Sequence, residues 1–205
     1  MSSISVSSDP ALRANIYHAL ARAFARPAEW EPGMPQVWRE LARGEVGLED
    51  LAASVASSAE TVLEHLESAA VAHAKLFLGP FEVLAPPYAS VYLEPDQQLM
   101  GPVSTQAAEA YAEAGVGPAE GPREAPDHIG HELEFMYYLA YQETTSLESI
   151  WSKRQRRFWR DHLGHWLPAL ATNMVRADAH PYYRVLGEFL LAFCDSESKT
   201  LSSAV

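Results

Sequence analysis

Cysteine is nearly absent from this chain of 205 residues, Cys194 being the single one. An intramolecular disulfide, an all-thiolate zinc site and a cysteine-ligated iron–sulfur cluster all need thiolates that are not there. Long apolar runs are lacking as well: nothing approaches the roughly 18 residues of a membrane span, and Met1 to Pro10 has neither the basic nor the apolar stretch of a secretory signal. These absences predict a cytoplasmic chain with no integral membrane segment. Basic residues are few, 15 Lys+Arg against 27 Asp+Glu, for a formal net charge of -12. Nucleic-acid binding depends on neutralising many phosphates, so this balance opposes it and favours a basic partner. Gly-x-Ser-x-Gly, a glycine-rich phosphate loop and His-Glu-x-x-His are all missing. Hydrolase, nucleotide-triphosphatase and zinc-protease readings lose their main support with them.

What is present suffices for a core: 48% of the residues are hydrophobic and 20% charged. The length suits one domain, taken as 1–205. Asp9-Pro10 offers a cap and a first-turn proline, and Leu12, Ile16, Leu20, Ala23 and Phe24 follow at helical spacing until Pro27. Gln36 to Arg43 suits a short helix. Leu48, Leu51 and Val55 begin a stripe that runs through Val62, Leu63, Leu66, Ala70, Ala74 and Phe77, with Ser57 and Glu60 spaced as a capping box. Between Gly79 and Pro95, four prolines push the backbone out of the helical region, so an extended loop is expected there. It carries Phe81, Val83, Leu84, Tyr88, Val91, Tyr92 and Leu93, more apolar surface than a solvent connector needs. Further helices are predicted over Ser104–Ala114, from Asp127, and over Ser149–Trp166, Pro168–Arg176 and Pro181–Phe193. The pattern predicts an all-α, single-domain helical bundle with a long Pro-rich extended loop.

Three groups of residues invite a chemical reading. His128-Ile-Gly-His131-Glu132 and His162-Leu-Gly-His165 each place two imidazoles on one helical face, which keeps a helical His/carboxylate metalloenzyme as the alternative function. No Glu-x-x-His element accompanies them. Cys194 sits beside Phe193 in an apolar stretch, where cysteine behaves as a small hydrophobe. Lys153-Arg154-Gln155-Arg156-Arg157 is a basic run, but Trp151, Phe158, His162 and Trp166 share the opposite face, so a solvated helix face outweighs a nucleic-acid regulator.

Charge is unevenly placed. Glu82 to Glu134 holds ten acids and one base, Arg123, whereas Phe135 to Arg184 holds four acids and seven bases. Within the acidic stretch, Glu124-Ala-Pro126-Asp127-His128-Ile129 followed by Glu132-Leu-Glu-Phe135-Met136 resembles the Glu-x-x-Asp-His signature of the TorD/DmsD/NarJ family of redox-enzyme maturation chaperones. Tyr17-x-x-Leu20-x-x-x-Phe24-x-x-Pro27 is similar to that family's first helix. Lys75-Leu76-Phe77 with Gly79-Pro80-Phe81 resembles the entry to its loop, and Pro86-Pro87-Tyr88-Ala89-Ser90-Val91-Tyr92-Leu93 the loop itself. Phe158, His162, Leu163, Trp166 and Pro168 match a later block. His73 departs from the pattern, standing where relatives often have an aromatic residue.

The resemblance implies a non-enzymatic cytoplasmic chaperone without a cofactor. It would bind the twin-arginine signal peptide, or amino-terminal region, of the apo-form catalytic subunit of a molybdenum oxidoreductase of the dimethyl-sulfoxide-reductase type, and delay export until the cofactor is inserted. A homodimer and guanine-nucleotide binding stay open. Carried over by position, the peptide-contact residues are Leu76, Phe81, Pro87, Tyr88, Tyr92, Glu124, Asp127 and His128. The physical requirement agrees, since fixed guanidinium charges followed by an apolar stretch need carboxylates beside an apolar groove. Asp127 after Pro126 is also placed to cap its own helix, and Leu76 and Phe81 are equally suited to the core.

Overall fold

Proline, glycine and short polar caps mark the helix boundaries in the computed structural model, which describes residues 9–44, 47–79, 82–97, 99–117 and 124–202. Helix α1 (Pro10–Ala23) starts as its sequence dictates: the Asp9 carboxylate accepts from the Ala11 amide at 2.9 Å, with Pro10 in the first turn. A short 3₁₀ turn (Pro27–Glu29) leads to α2 (Met34–Arg43), whose Trp38 packs edge-on to Phe189 with ring centroids 5.0 Å apart.

The stripe from Leu48 divides into α3 (Glu49–Glu64), α4 (Leu66–His73) and a π-helical turn (Ala74–Leu78). The break falls at His65, with φ -133 and ψ 52, whose amide still donates to Thr61 and Val62. Ser57 and Glu60 are therefore not a capping box. Both lie inside α3, and Glu60 pairs with Arg39 of α2. Gly79 ends the π turn at φ +41, where a Cβ would stand 2.8 Å from the Glu82 carbonyl oxygen, so only glycine turns the chain there.

The Pro-rich segment is less extended than its prolines suggest. It returns along the π turn, with Ala85 N–H donating to the Leu76 carbonyl at 2.8 Å, and then forms the short helix α5 (Ala89–Leu93). Helix α6 (Pro102–Glu113) follows. Its first turn is capped from a distance by Glu94, whose carboxylate accepts from the Val103 amide at 2.8 Å. Helix α7 (Ile129–Thr145) packs along α1, and Leu133, Met136 and Leu139 join Ile16 and Leu20 in the core.

Helix α8 (Ile150–Phe158), a second π turn (Trp159–Leu163) and α9 (Gly164–Ala177) form one continuous path. The boundary expected at Pro168 is absent. Interior proline costs about 3 kcal/mol or more, but Trp166 and Leu167 before it and Leu170 and Ala171 after it are all buried, and that packing carries the helix through. Helix α10 (Pro181–Ser202) lies against α9 and α3 and runs well past Phe193. Its added turns bury Glu197, whose carboxylate accepts from the Arg13 guanidinium at both oxygens, from Nη2 at 2.5 Å on Oε1 and from Nε at 3.0 Å on Oε2, and from the Tyr17 hydroxyl at 2.6 Å. Among the described residues there is no strand, only an isolated bridge between Tyr88 and His128. The fold is an all-α, single-domain helical bundle, and no helix of the described residues is long and apolar enough to cross a membrane.

Candidate functional site

Two segments far apart in sequence meet at that bridge. The Ile129 amide donates to the Pro87 carbonyl at 2.9 Å, and the Ala89 amide donates to the Asp127 carbonyl at 3.0 Å. The loop entering α5 is thus stitched to the loop entering α7, which brings Pro87, Tyr88, Glu124, Asp127 and His128 together. Tyr92, one turn along α5, reaches toward α9: its ring lies 5.5 Å from that of Trp166, and its hydroxyl accepts from Asn173 at 3.4 Å.

At the surface of this junction, Tyr88 and Glu124 form one unit. The Tyr88 hydroxyl donates to the exposed Glu124 carboxylate at 3.0 Å, and its ring stands edge-on to His128 at 5.3 Å. Burial, then the Glu124 hydrogen bond, push the Tyr88 hydroxyl up to about 12, so it remains a donor at neutral pH. Tyr92 is likewise raised to about 12, by burial. His128 is lowered to about 4, by burial first. The neutral ring acts locally, its Nδ1 accepting from the Gly130 amide at 3.1 Å, so His128 is the N-cap of α7. Asp127 is not the cap of its own helix, because it lies one residue too early.

Asp127 instead faces inward. Its side chain is 0% exposed, Oδ2 accepts from the Ser90 amide at 2.9 Å, and Oδ1 accepts from the Ser104 hydroxyl of α6. Sequence reasoning missed Ser90 and Ser104, and no spacing signal could have revealed bonds across 37 and 23 positions. Leu76 and Pro87 are also buried, Leu76 in the π turn beside Phe77. Phe81 lies outside the described residues. The apolar side chains turned outward along this path are others: Leu84 at 37% exposure and Leu78 at 51%. His73 fills an aromatic position in kind, since its buried ring sits edge-on to Phe77 at 5.0 Å and near Tyr183.

The two histidine pairs differ: His128 and His131 stand edge-on with ring centroids 5.9 Å apart, His131 Nδ1 lying 3.1 Å from the Ala125 carbonyl oxygen, whereas His162 and His165 separate. His162 points inward to Glu132, with Nε2 2.5 Å from a carboxylate oxygen whose partner oxygen accepts from Trp166 Nε1 at 2.9 Å. Burial alone would lower His162, but the Glu132 hydrogen bond and charge outweigh it and raise it; burial raises Glu132 in turn. His165, by contrast, is exposed, so the His162/His165 pair does not converge. Among the described residues no three His, Cys, Asp or Glu side chains are placed to hold a metal ion together. Cys194 is buried and its thiol is pushed up by that burial, away from nucleophilic reactivity. Of the basic run, Arg154 and Arg157 bind Glu113 at the end of α6.

The profile of the nitrate reductase delta subunit family matches residues 32–172. Over 111 residues the chain is 32% identical to the chaperone protein TorD of Vibrio cholerae serotype O1, covering 52% of this chain and 50% of the relative. Over 80 residues it is 30% identical to the chaperone protein TorD of Salmonella arizonae, covering 39% of this chain and 38% of the relative. The chain thus spans about half the length, or less, of these curated relatives. A solved structure from Archaeoglobus fulgidus, of a candidate redox enzyme maturation protein, is similar in fold, with a TM-score of 0.59 at 23% identity over 88% of this chain and 92% of that one. With the profile running from α2 through the stitched loops into α9, the chain belongs to the nitrate reductase delta subunit family, the TorD/DmsD/NarJ group.

Proposed function

We propose that this protein is a cytoplasmic, non-enzymatic maturation chaperone. Its ligand is the twin-arginine signal peptide, or amino-terminal region, of the apo-form catalytic subunit of a molybdenum-cofactor oxidoreductase, which it holds until the cofactor is inserted and export can proceed. One observation carries the reading: an exposed carboxylate, Glu124, lies hydrogen-bonded to a half-buried amphipathic ring, Tyr88, at a junction of the family's signature segments. A guanidinium recognises a carboxylate by charge and paired hydrogen bonds, while an adjoining apolar stretch needs rings and aliphatic surface. Tyr88, Tyr92, Glu124 and His128 form the contact face, with Leu76, Pro87 and Asp127 supporting it from within and Phe81 assigned by its place in the motif. The resemblance to TorD chaperones supports the class of activity.

A synthetic leader peptide containing an arginine pair and its apolar segment tests this, alongside versions lacking either part. Raising salt to about 0.15 M, where the Debye length is about 8 Å, slows association more than it speeds dissociation, because charge steers the encounter. Tyr88→Ala acts chiefly on dissociation and weakens binding by about 2 kcal/mol or more, as buried aromatic anchors do. Binding that ignores loss of the apolar segment and vanishes with salt would reduce the encounter to nonspecific attraction and remove this reading.

A further inference from the structure

We propose that Ser104 is a positioning residue of the peptide site, acting through Asp127, and that Asp127 serves the ligand by holding the loop that bears Tyr88 and Tyr92 and not by touching the ligand. The inference rests on the proposed function and assigns a role to a helix, α6, that the motifs leave out.

The geometry is a clamp with three jaws. Asp127 Oδ2 accepts from the Ser90 amide at 2.9 Å, in the first turn of α5. The residue that should cap that turn, Tyr88, makes no side-chain cap bond, so Asp127 performs across space what an N-cap performs locally. Asp127 O accepts from the Ala89 amide at 3.0 Å, and Ser104 closes the clamp on Oδ1. Ser104 is itself buried, at 3% exposure, so its hydroxyl does nothing for solvent. Ser90 Oγ is buried without a partner and does not duplicate the Ser104 bond. A buried carboxylate must have its oxygens satisfied to stay charged and oriented. Without the Ser104 hydroxyl, Oδ1 loses its donor, the carboxylate is free to rotate, and the α5 turn is released. Tyr88 and Tyr92 belong to that turn and its start, and their hydroxyls bond to Glu124 and Asn173, so their placement depends on Ser104 through Asp127.

Three chains, the parent, Ser104→Ala and Asp127→Asn, are titrated with the synthetic arginine-pair leader peptide, and amide hydrogen exchange is followed at Ala89 and Ser90. Asparagine can accept from the Ser90 amide and donate to the Ser104 hydroxyl, so it keeps the clamp and deletes the charge. Expected are binding about tenfold weaker for Ser104→Ala, with faster exchange at Ala89 and Ser90 and unchanged protection in α9 and α10, and binding by Asp127→Asn within about threefold of the parent. Parent-like binding by Ser104→Ala overturns the proposal. So does loss of binding by Asp127→Asn with both amides still protected, which would mean the charge meets the ligand. If Ser104→Ala does not fold, Ser104→Cys, with its weak donor, takes its place under the same criteria. Failure of the parent to bind the peptide would be seen in the parent alone; it would remove the proposed function and the ligand role of Ser104 together, leaving the exchange data to report the clamp.

Discussion

His128 shows how one side chain can be both a surface feature and a structural cap. Its Nδ1 accepts from the Gly130 amide, and only the neutral ring can do so. The folded-state value of about 4 lies below the ordinary 6.5, so protons bind the unfolded chain more readily. This contribution to stability is complete above about pH 6.5 and is lost as pH falls through about 4. Urea denaturation at pH 7, 5 and 4 should show the parent losing more stability on acidification than His128→Asn, because asparagine caps without titrating. At pH 7, His128→Ala should cost about 1 kcal/mol. The Glu132–His162 pair titrates in both proteins, so the difference isolates residue 128. An equal loss in parent and His128→Asn would mean that the cap is not the titrating element.

Among the elements, the two π turns are where the chain departs most from its own pattern. Helical periodicity runs through both Ala74–Leu78 and Trp159–Leu163, so neither is visible as a break, although the glycine after each is plain in the sequence. At Gly164 the amide closes the second turn onto the Trp159 carbonyl, and a Cβ there would stand 2.7 Å from that oxygen and 2.9 Å from the Trp159 indole nitrogen. Gly164→Ala would gain about 0.8–1.0 kcal/mol of helix propensity in an ordinary helix. Here it should destabilise by a net of about 1–3 kcal/mol, because backbone and a buried indole must both move. Thermal or urea unfolding measures the sign, and a stabilised variant would contradict the packing described. The end of α10 was hidden for a different reason. Glu197 reads as a solvent residue until its partners are known, so the apolar stripe reads as ending at Phe193 when its buried face continues to Leu201.

At the scale of the whole molecule, Arg13 and Glu197 tie the first helix to the last across 184 positions, and Gln155 bridges them to Glu143 by bonds of 2.8 and 2.6 Å. Removing Glu197 leaves the buried Arg13 guanidinium with the more distant, partly exposed Glu143 carboxylate at 3.9 Å in place of its close partner, so Glu197→Leu should cost about 3 kcal/mol. Arg13→Met with Glu197→Leu should cost less than the sum of the single changes, and a double-mutant cycle by chemical denaturation measures that coupling. Additive losses would mean that the pair is not a unit. The sequence alone determined the all-α class, most helix starts, the acidic stretch and the family's motifs, because caps, prolines and apolar spacing act within a few residues of where they are written. Only the tertiary structure decided that Asp127 faces Ser90 and Ser104, that Leu76 and Pro87 lie inside, and that Glu197 belongs to the core. Those outcomes depend on which charged or polar group meets which partner across tens of positions, and a carboxylate can be buried only once that partner is in place to satisfy it.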